Sequence, residues 1–270
     1  MPTPNRPKAV LVTGGARRLG REFCLAFARA GWNVVCHYQQ SSGDAQHTCE
    51  AVRALGQEAH AVHGDLGQPA SIADLFAATV AALGHAPDAI VNNASVFEPD
   101  SGHDFSPELL QRQMQVNLAA PLQLGSLLAG AQPTHAALVP VVLHVLDQKV
   151  FNLNPDYFSY TLSKLALERA VALQAQALAP RVRVCGIAPG LMYMSGPQSE
   201  ENFQRASRVN LLHSATDPAD VARTGVFLAE NASITGITVT VDKGQHLVPL
   251  ARDIMFVAEQ LGHTMPPNTP

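Results

Sequence analysis

The chain has 270 residues, 47% hydrophobic and 15% charged, which is enough apolar side chain for a large core and too little charge for a disordered chain. A net charge of -4, with 18 Lys and Arg forming no basic block, argues against nucleic acid or an acidic membrane surface as partner. Cys24, Cys36, Cys49 and Cys185 form no CxxC pair and share no metal-ligand spacing with histidine, so they read as free thiols and no metal centre is expected.

The polar start Met1–Lys8 lacks the apolar run of a signal peptide, and no apolar stretch is long enough to span a bilayer; a cytoplasmic protein is expected. Apolar runs then alternate with segments of helical period. A first strand is predicted over Ala9–Thr13 and a helix over Leu19–Ala30, closed by Gly31. Strand Trp32–His37, helix Ala45–Leu55, strand Ala59–His63, helix Ile72–Leu83 and strand Ala89–Asn92 follow. One long helix is predicted over Leu109–Leu128, then strand Val139–Leu146 despite Pro140, and helix Tyr157–Leu178, ended by Pro180. Strand Val182–Ile187, helix Ala219–Ala229 and strand Thr238–Val241 complete the pattern. Strand–helix alternation with unbroken apolar strands predicts an α/β fold: one Rossmann-type doubly wound parallel sheet of about seven strands, flanked by helices. No linker divides the chain, so one dinucleotide-binding and catalytic domain over 1–270 is expected. The segment 192–217, irregular from Met194, reads as a substrate loop, 247–270 as a C-terminal extension whose apolar stretch Leu247–Leu261 joins an interface or closes over a neighbour's site, and Met265–Pro270 as a disordered tail.

The turn Thr13-Gly14-Gly15-Ala16-Arg17-Arg18-Leu19-Gly20 joins the first strand to the first helix. Glycines there let the backbone approach a pyrophosphate, and the helix start offers unpaired N–H groups. Gly14, Arg17, Arg18, Leu19 and Gly20 are therefore candidate cofactor contacts. NAD-binding folds place an acid at the end of the second strand, but this chain has Cys36-His37-Tyr38-Gln39-Gln40-Ser41. The missing carboxylate and the nearby Arg17 favour a 2′-phosphate, hence NADPH. His37, Tyr38 and Ser41 are candidates for its adenosine end, and Asp65 for the adenine amino group. Tyr160 and Lys164 stand four apart on a predicted helix and share a face. A neighbouring ammonium would favour the phenolate and lower the tyrosine pKa, fitting Tyr160 to give a proton as hydride arrives.

Thr13-Gly14…Gly20, Asn92-Asn93-Ala94, Asn117, Tyr160-Thr161-Leu162-Ser163-Lys164 and Pro189-Gly190 occur in the order found in the short-chain dehydrogenase/reductase family, which the chain resembles over nearly its whole length. The resemblance implies that Asn93 and Ala94 shape the cofactor site, that Asn117 holds a water in a proton relay with Lys164, and that Pro189 and Gly190 border the nicotinamide. It also implies a homo-oligomer, often a tetramer. Carbonyl-reducing members usually carry serine 13 residues before the tyrosine, where this chain has Asp147. An ionised aspartate only accepts hydrogen bonds and would repel an oxyanion, whereas beside a substrate nitrogen it fits. Asp147, Arg18 in the glycine turn, His37-Tyr38…Ser41 and Asn93-Ala94-Ser95-Val96-Phe97 resemble the pteridine reductase branch of the family. That branch implies NADPH-dependent reduction of a pterin C=N bond, as in dihydropterin, dihydromonapterin or dihydrofolate. Ser95 would contact substrate or cofactor phosphate, Phe97 would stack on the pterin opposite the nicotinamide, and Arg18 would reach the substrate and the cofactor phosphate at once. Met192, Tyr193 and Leu211 are candidates for the substrate end. Lys243, Gln40 and the lack of threonine at 191–194 depart from the usual pattern. A carbonyl or 3-oxoacyl thioester reductase, and a non-catalytic NADP(H)-sensing protein, remain open as alternatives.

Overall fold

The computed structural model describes residues 6–131, 138–194 and 198–261. Seven parallel strands form one sheet in the order β3-β2-β1-β4-β5-β6-β7, with β1 Ala9–Val12, β2 Asn33–Tyr38, β3 Ala59–His63, β4 Ala89–Asn92, β5 Val141–Val145, β6 Arg183–Pro189 and β7 Thr238–Val241. Strand side chains alternate between two apolar layers. Val10, Val12, Leu143 and Ile187 pack with Phe23, Phe27 and Leu228 on one side, whereas Leu11, Ile90 and Val142 pack with Leu75, Leu124 and Leu167 on the other. Burial on both faces is why these strands read as continuous apolar runs.

Helices α1 (Arg18–Arg29), α2 (Ser42–Ala54) and α8 (Pro218–Glu230) cover the first face. Helices α3 (Pro69–Leu83), α5 (Ala120–Gly130) and α6 (Phe158–Leu178) cover the second. Strand order reverses between β1 and β4, so the chain leaves these neighbours in opposite directions and opens a crevice at their carboxyl ends.

Three expectations about elements are corrected. The long helix predicted over Leu109–Leu128 is α4 (Pro107–Met114) and α5 joined by a π-helical turn, Gln115–Ala119. Pro121 explains the turn: it has no N–H for the carbonyl of Asn117, and its ring crowds that carbonyl in a regular α-helix. The segment 192–217 is not wholly irregular, because it contains α7 (Glu200–Ala206). Ser199 caps α7 by accepting from Asn202 N at 3.2 Å, and Glu200 and Glu201 fill its first turn, a start signal readable in the sequence. The strand predicted from Val139 begins only after Pro140, which has no donor for the ladder. The C-terminal segment forms a short turn, Gln245–Leu247, and α9 (Ile254–Leu261); the tail expected to be disordered, Met265–Pro270, lies outside the described residues. No helix among the described residues is long and apolar enough to cross a membrane, and those residues hold no acid, histidine or thiol cluster able to bind a metal.

Candidate active site

The carboxyl ends of β1, β4, β5 and β6 open onto one cleft of about 840 Å³. Gly14, Arg17, Arg18, Leu19, Gly20, Asp65, Asn93, Ala94, Ser95, Pro189 and Gly190 line it, together with Phe97, Asp147, Tyr160, Lys164 and Met192. The glycine turn is folded tightly onto itself. Gly14 has a φ of +61°, and a Cβ on Gly20 would lie 2.0 Å from the Gly14 carbonyl oxygen. Asn93 Nδ2 donates to the carbonyls of Thr13 and Gly14 at 3.0 and 3.3 Å, while Thr13 Oγ1 accepts from Asn93 N and Ala94 N. The cradle therefore fits a pyrophosphate that needs close backbone approach. Gly20→Ala is expected to destabilise the fold by about 1–3 kcal/mol and to abolish saturable NADPH binding, read by thermal unfolding and nucleotide fluorescence.

His37 lines the cleft, and its ring is also bonded to the glycine turn. Its ring is 2% exposed; Nδ1 accepts from Gly14 N at 3.0 Å, so Nε2 carries the hydrogen and donates to Gly64 O at 3.1 Å. Burial pulls its pKa down to about 4, which keeps the ring neutral as a brace beneath the turn. Tyr38 turns its ring edge toward His63, at 5.6 Å between centres, and Ser41 precedes α2; neither is among the cleft-lining residues, where Gln39 and Gln40 stand instead. Alternation along β2 separates Tyr38 from its neighbours in this way. Asp65 Oδ1 accepts from Gln39 Nε2 at 2.8 Å and from Gly67 N at 2.9 Å.

Arg17 reaches the cleft, but its guanidinium is paired with Asp44 of α2, so its charge is shared rather than free. Both groups are exposed and the pair is weak. Asp44→Asn is expected to tighten NADPH by about 2–5-fold without changing NADH affinity, measurable by competitive titration.

Asp147 follows β5 and caps a short helical turn, Gln148–Val150, with its Oδ1 accepting from Lys149 N at 2.8 Å. Tyr160 Oη, from the first turn of α6, donates to Asp147 Oδ2 at 3.0 Å. Burial raises the Asp147 pKa, partly offset by Lys149 N, the Lys149 charge and Tyr160. The expected lowering of the Tyr160 pKa is corrected. Burial first, and then the Asp147 charge and hydrogen bond, push it well above the ordinary tyrosine value. Lys164 stands 5.7 Å from the tyrosine ring centre and donates to Val145 O at 2.7 Å; burial pulls its own pKa down to about 8. An amine spent on a carbonyl and desolvated itself does little to stabilise a phenolate.

The Asn117 side chain is likewise engaged within the protein. Its Oδ1 accepts from Val96 N at 2.8 Å and Ser95 Oγ at 3.1 Å, and its Nδ2 donates to Val96 O at 3.0 Å and Ser163 Oγ at 2.9 Å. The side chain braces the 95–97 loop against α6.

Beyond Asp147 the cleft continues into a smaller cavity of about 220 Å³ that shares Arg18, Phe97, Tyr160, Met192 and Tyr193. Arg18 has a φ of +50°, unusual for a residue with Cβ, and is held by its donation to Met194 O at 2.7 Å and by the Tyr193 ring, 4.8 Å from its guanidinium carbon. Phe97 is 40% exposed, stacks on Tyr157 at 4.1 Å and meets Tyr160 edge-on at 4.7 Å. Leu211 is instead exposed beside Gly244, outside both linings. Asp253 and Ile254 of the C-terminal segment line the small cavity. Tyr157, Lys149, Gln148 and Asp253 were not singled out from the sequence. Tyr157 and Lys149 lie close to Tyr160 and Asp147 in the chain, but nothing local marks Asp253, 106 positions after Asp147.

The model of the family described as enoyl-(acyl carrier protein) reductase, of the short-chain dehydrogenase type, matches residues 14–246. An uncharacterized oxidoreductase of Mycobacterium tuberculosis is 32% identical over 252 residues, covering 88% of this chain and 91% of that protein. A dihydromonapterin reductase of an Enterobacter species is 28% identical over 244 residues, covering 90% and 98%. The crystal structure of alternative dihydrofolate reductase 1 from Brucella canis, complexed with NADP, superposes with a TM-score of 0.84 at 36% identity, covering 92% of this chain and 97% of that one. With its parallel sheet, glycine turn and tyrosine–lysine helix, the chain belongs to the short-chain dehydrogenase/reductase family.

Proposed function

We infer that the protein is an NADPH-dependent reductase of a pterin C=N bond, acting on a dihydropterin such as dihydromonapterin or dihydrofolate. The observation that carries this reading is the hydrogen bond from Tyr160 to Asp147, in place of a serine hydroxyl, at the mouth of the smaller cavity. The dihydromonapterin reductase relative and the NADP-bound dihydrofolate reductase structure support both substrate class and cofactor.

The cofactor supplies a hydride to the carbon of the C=N bond. The bond's electron pair moves to nitrogen, which takes a proton from the Asp147–Tyr160 pair; solvent then restores that proton. Burial raises the Asp147 pKa and pushes the Tyr160 pKa well above the ordinary tyrosine value, so the carboxyl is the stronger acid of the pair for delivery to an imine nitrogen. Tyr160 orients the acid, Lys164 anchors α6 to β5, and Arg18 and Phe97 offer a cation and an aromatic edge to a flat polar ring. NADPH oxidation with dihydromonapterin, dihydrobiopterin and dihydrofolate, set against a 3-oxoacyl thioester, tests the reading; turnover of the thioester alone overturns it. The reading takes the protein as one cytoplasmic domain assembled into a homotetramer, with light scattering as the check on assembly. Its four cysteines, all free and buried, support a reducing compartment.

A further inference from the structure

The small cavity holds an ion pair that the reaction as described does not use. Lys149 is 3% exposed, and its Nζ lies 3.1 Å from Asp253 Oδ2. Both residues line the cavity beside Asp147, and the Lys149 main-chain N already donates to the Asp147 carboxylate. The other face of the ammonium meets the Tyr157 ring, 5.3 Å from its centre, and Tyr157 stacks on Phe97. A buried ammonium without a partner is costly, so Asp253 is what makes Lys149 tolerable here.

Asp253 comes from a distant part of the chain and is set firmly. Asp156 accepts from Asp253 N at 2.7 Å and pairs with Arg252 at 2.8 Å, while Asn202 of α7 donates to Met255 O at 3.0 Å. Ile254 packs against Ala206 of the same helix. The C-terminal segment thus delivers one negative charge to the reacting end of the cavity, next to one positive charge.

We propose that Lys149 and Asp253 are positioning residues that set the charge balance around Asp147, so that docking of the C-terminal segment governs the pH range of catalysis. The charged and titratable groups facing Asp147 are Tyr160 and Lys164 from α6, Lys149 from its own turn, Asp253 from the C-terminal segment, and Arg18 on the shared wall of the cavity. Lys149 draws the Asp147 pKa down and Asp253 draws it up, which matches their charges and places. With Asp253 docked, the acid holds its proton to higher pH than the ammonium alone would allow. The inference rests on the reading of Asp147 as the acid for a C=N bond.

The test is the pH profile of kcat with a dihydropterin, together with the 13C-carboxyl titration of Asp147, identified by its loss in Asp147→Asn. Lys149→Met is expected to move the falling limb and the titration midpoint up by about one pH unit, and Asp253→Asn to move both down by a similar amount. The double variant, neutral at both positions, is expected to return close to the wild-type midpoint. A merely structural role would not produce shifts of opposite sign that cancel. Shifts in the same direction, no shift, or a double variant that fails to return would overturn the proposal. Asp253→Asn changes shape least and decides the matter if Lys149→Met does not fold. Opposed titration shifts without pterin turnover would sink the substrate reading and leave the charge device standing; turnover with unmoved midpoints would do the reverse.

Discussion

Replacing Asp147 by serine is expected to lower kcat/KM for a dihydropterin by about 10²–10⁴-fold, the range for loss of a positioned general acid. The same change leaves a hydroxyl where Tyr160 now finds a carboxylate, 3.0 Å from its Oη. A hydroxyl donates to a carbonyl oxygen and carries no charge to oppose an oxyanion, so turnover of a 3-oxoacyl thioester should survive or rise. Steady-state kinetics on both substrates reads the two effects together. Equal losses on both would mean that Asp147 only holds Tyr160 in place. Asp147→Asn preserves size but does not titrate, and the limb of the pH profile that falls with rising pH should flatten.

Tyr160→Phe is expected to reduce kcat by about 10²-fold or more while NADPH affinity changes little, as measured by single turnover and fluorescence titration. The loss has two sources. The phenol no longer takes part in delivering the proton, and Asp147 loses its orienting donor. That donor also helps the ionised carboxylate, so the Asp147 pKa should rise further in the variant. Activity that remains in Tyr160→Phe should therefore persist to higher pH than in the parent protein. A residual rate that instead disappears at lower pH would make Tyr160, rather than Asp147, the source of the proton.

Much of the frame is readable without coordinates. The apolar stretches 9–12, 89–92 and 183–187 lie in strands because both of their faces are buried, and Gly14 and Gly20 mark the turn because a Cβ would collide there. The break in the helix around Asn117 was also legible, since Pro121 removes the donor that the Asn117 carbonyl needs. The short helix at 200–206 had its signal in Ser199 and the two glutamates after it.

Other features have no local signature. His37 and Arg17 both line the cleft, but one also braces Gly14 and Gly64 and the other also pairs with Asp44, contacts spanning 23 to 27 positions. The direction of the Tyr160 pKa depended on where the Lys164 amine ended up and on how dry the helix start became. Spacing of four along a helix puts two side chains on one face but does not say which atom each will bond.

The sequence by itself determined the parallel sheet, the glycine turn and the pairing of Tyr160 with Lys164, because strand burial, turn sterics and helical spacing act over a few residues; Asp147 joined that group only through the resemblance to the family. Only the tertiary structure decided the electrostatics of that group. Desolvation and the charge of Asp253 arise from chain segments that meet only when the sheet is closed and the C-terminal segment is docked. A pKa belongs to an environment, and here that environment is assembled from β5, α6 and residues more than a hundred positions further along.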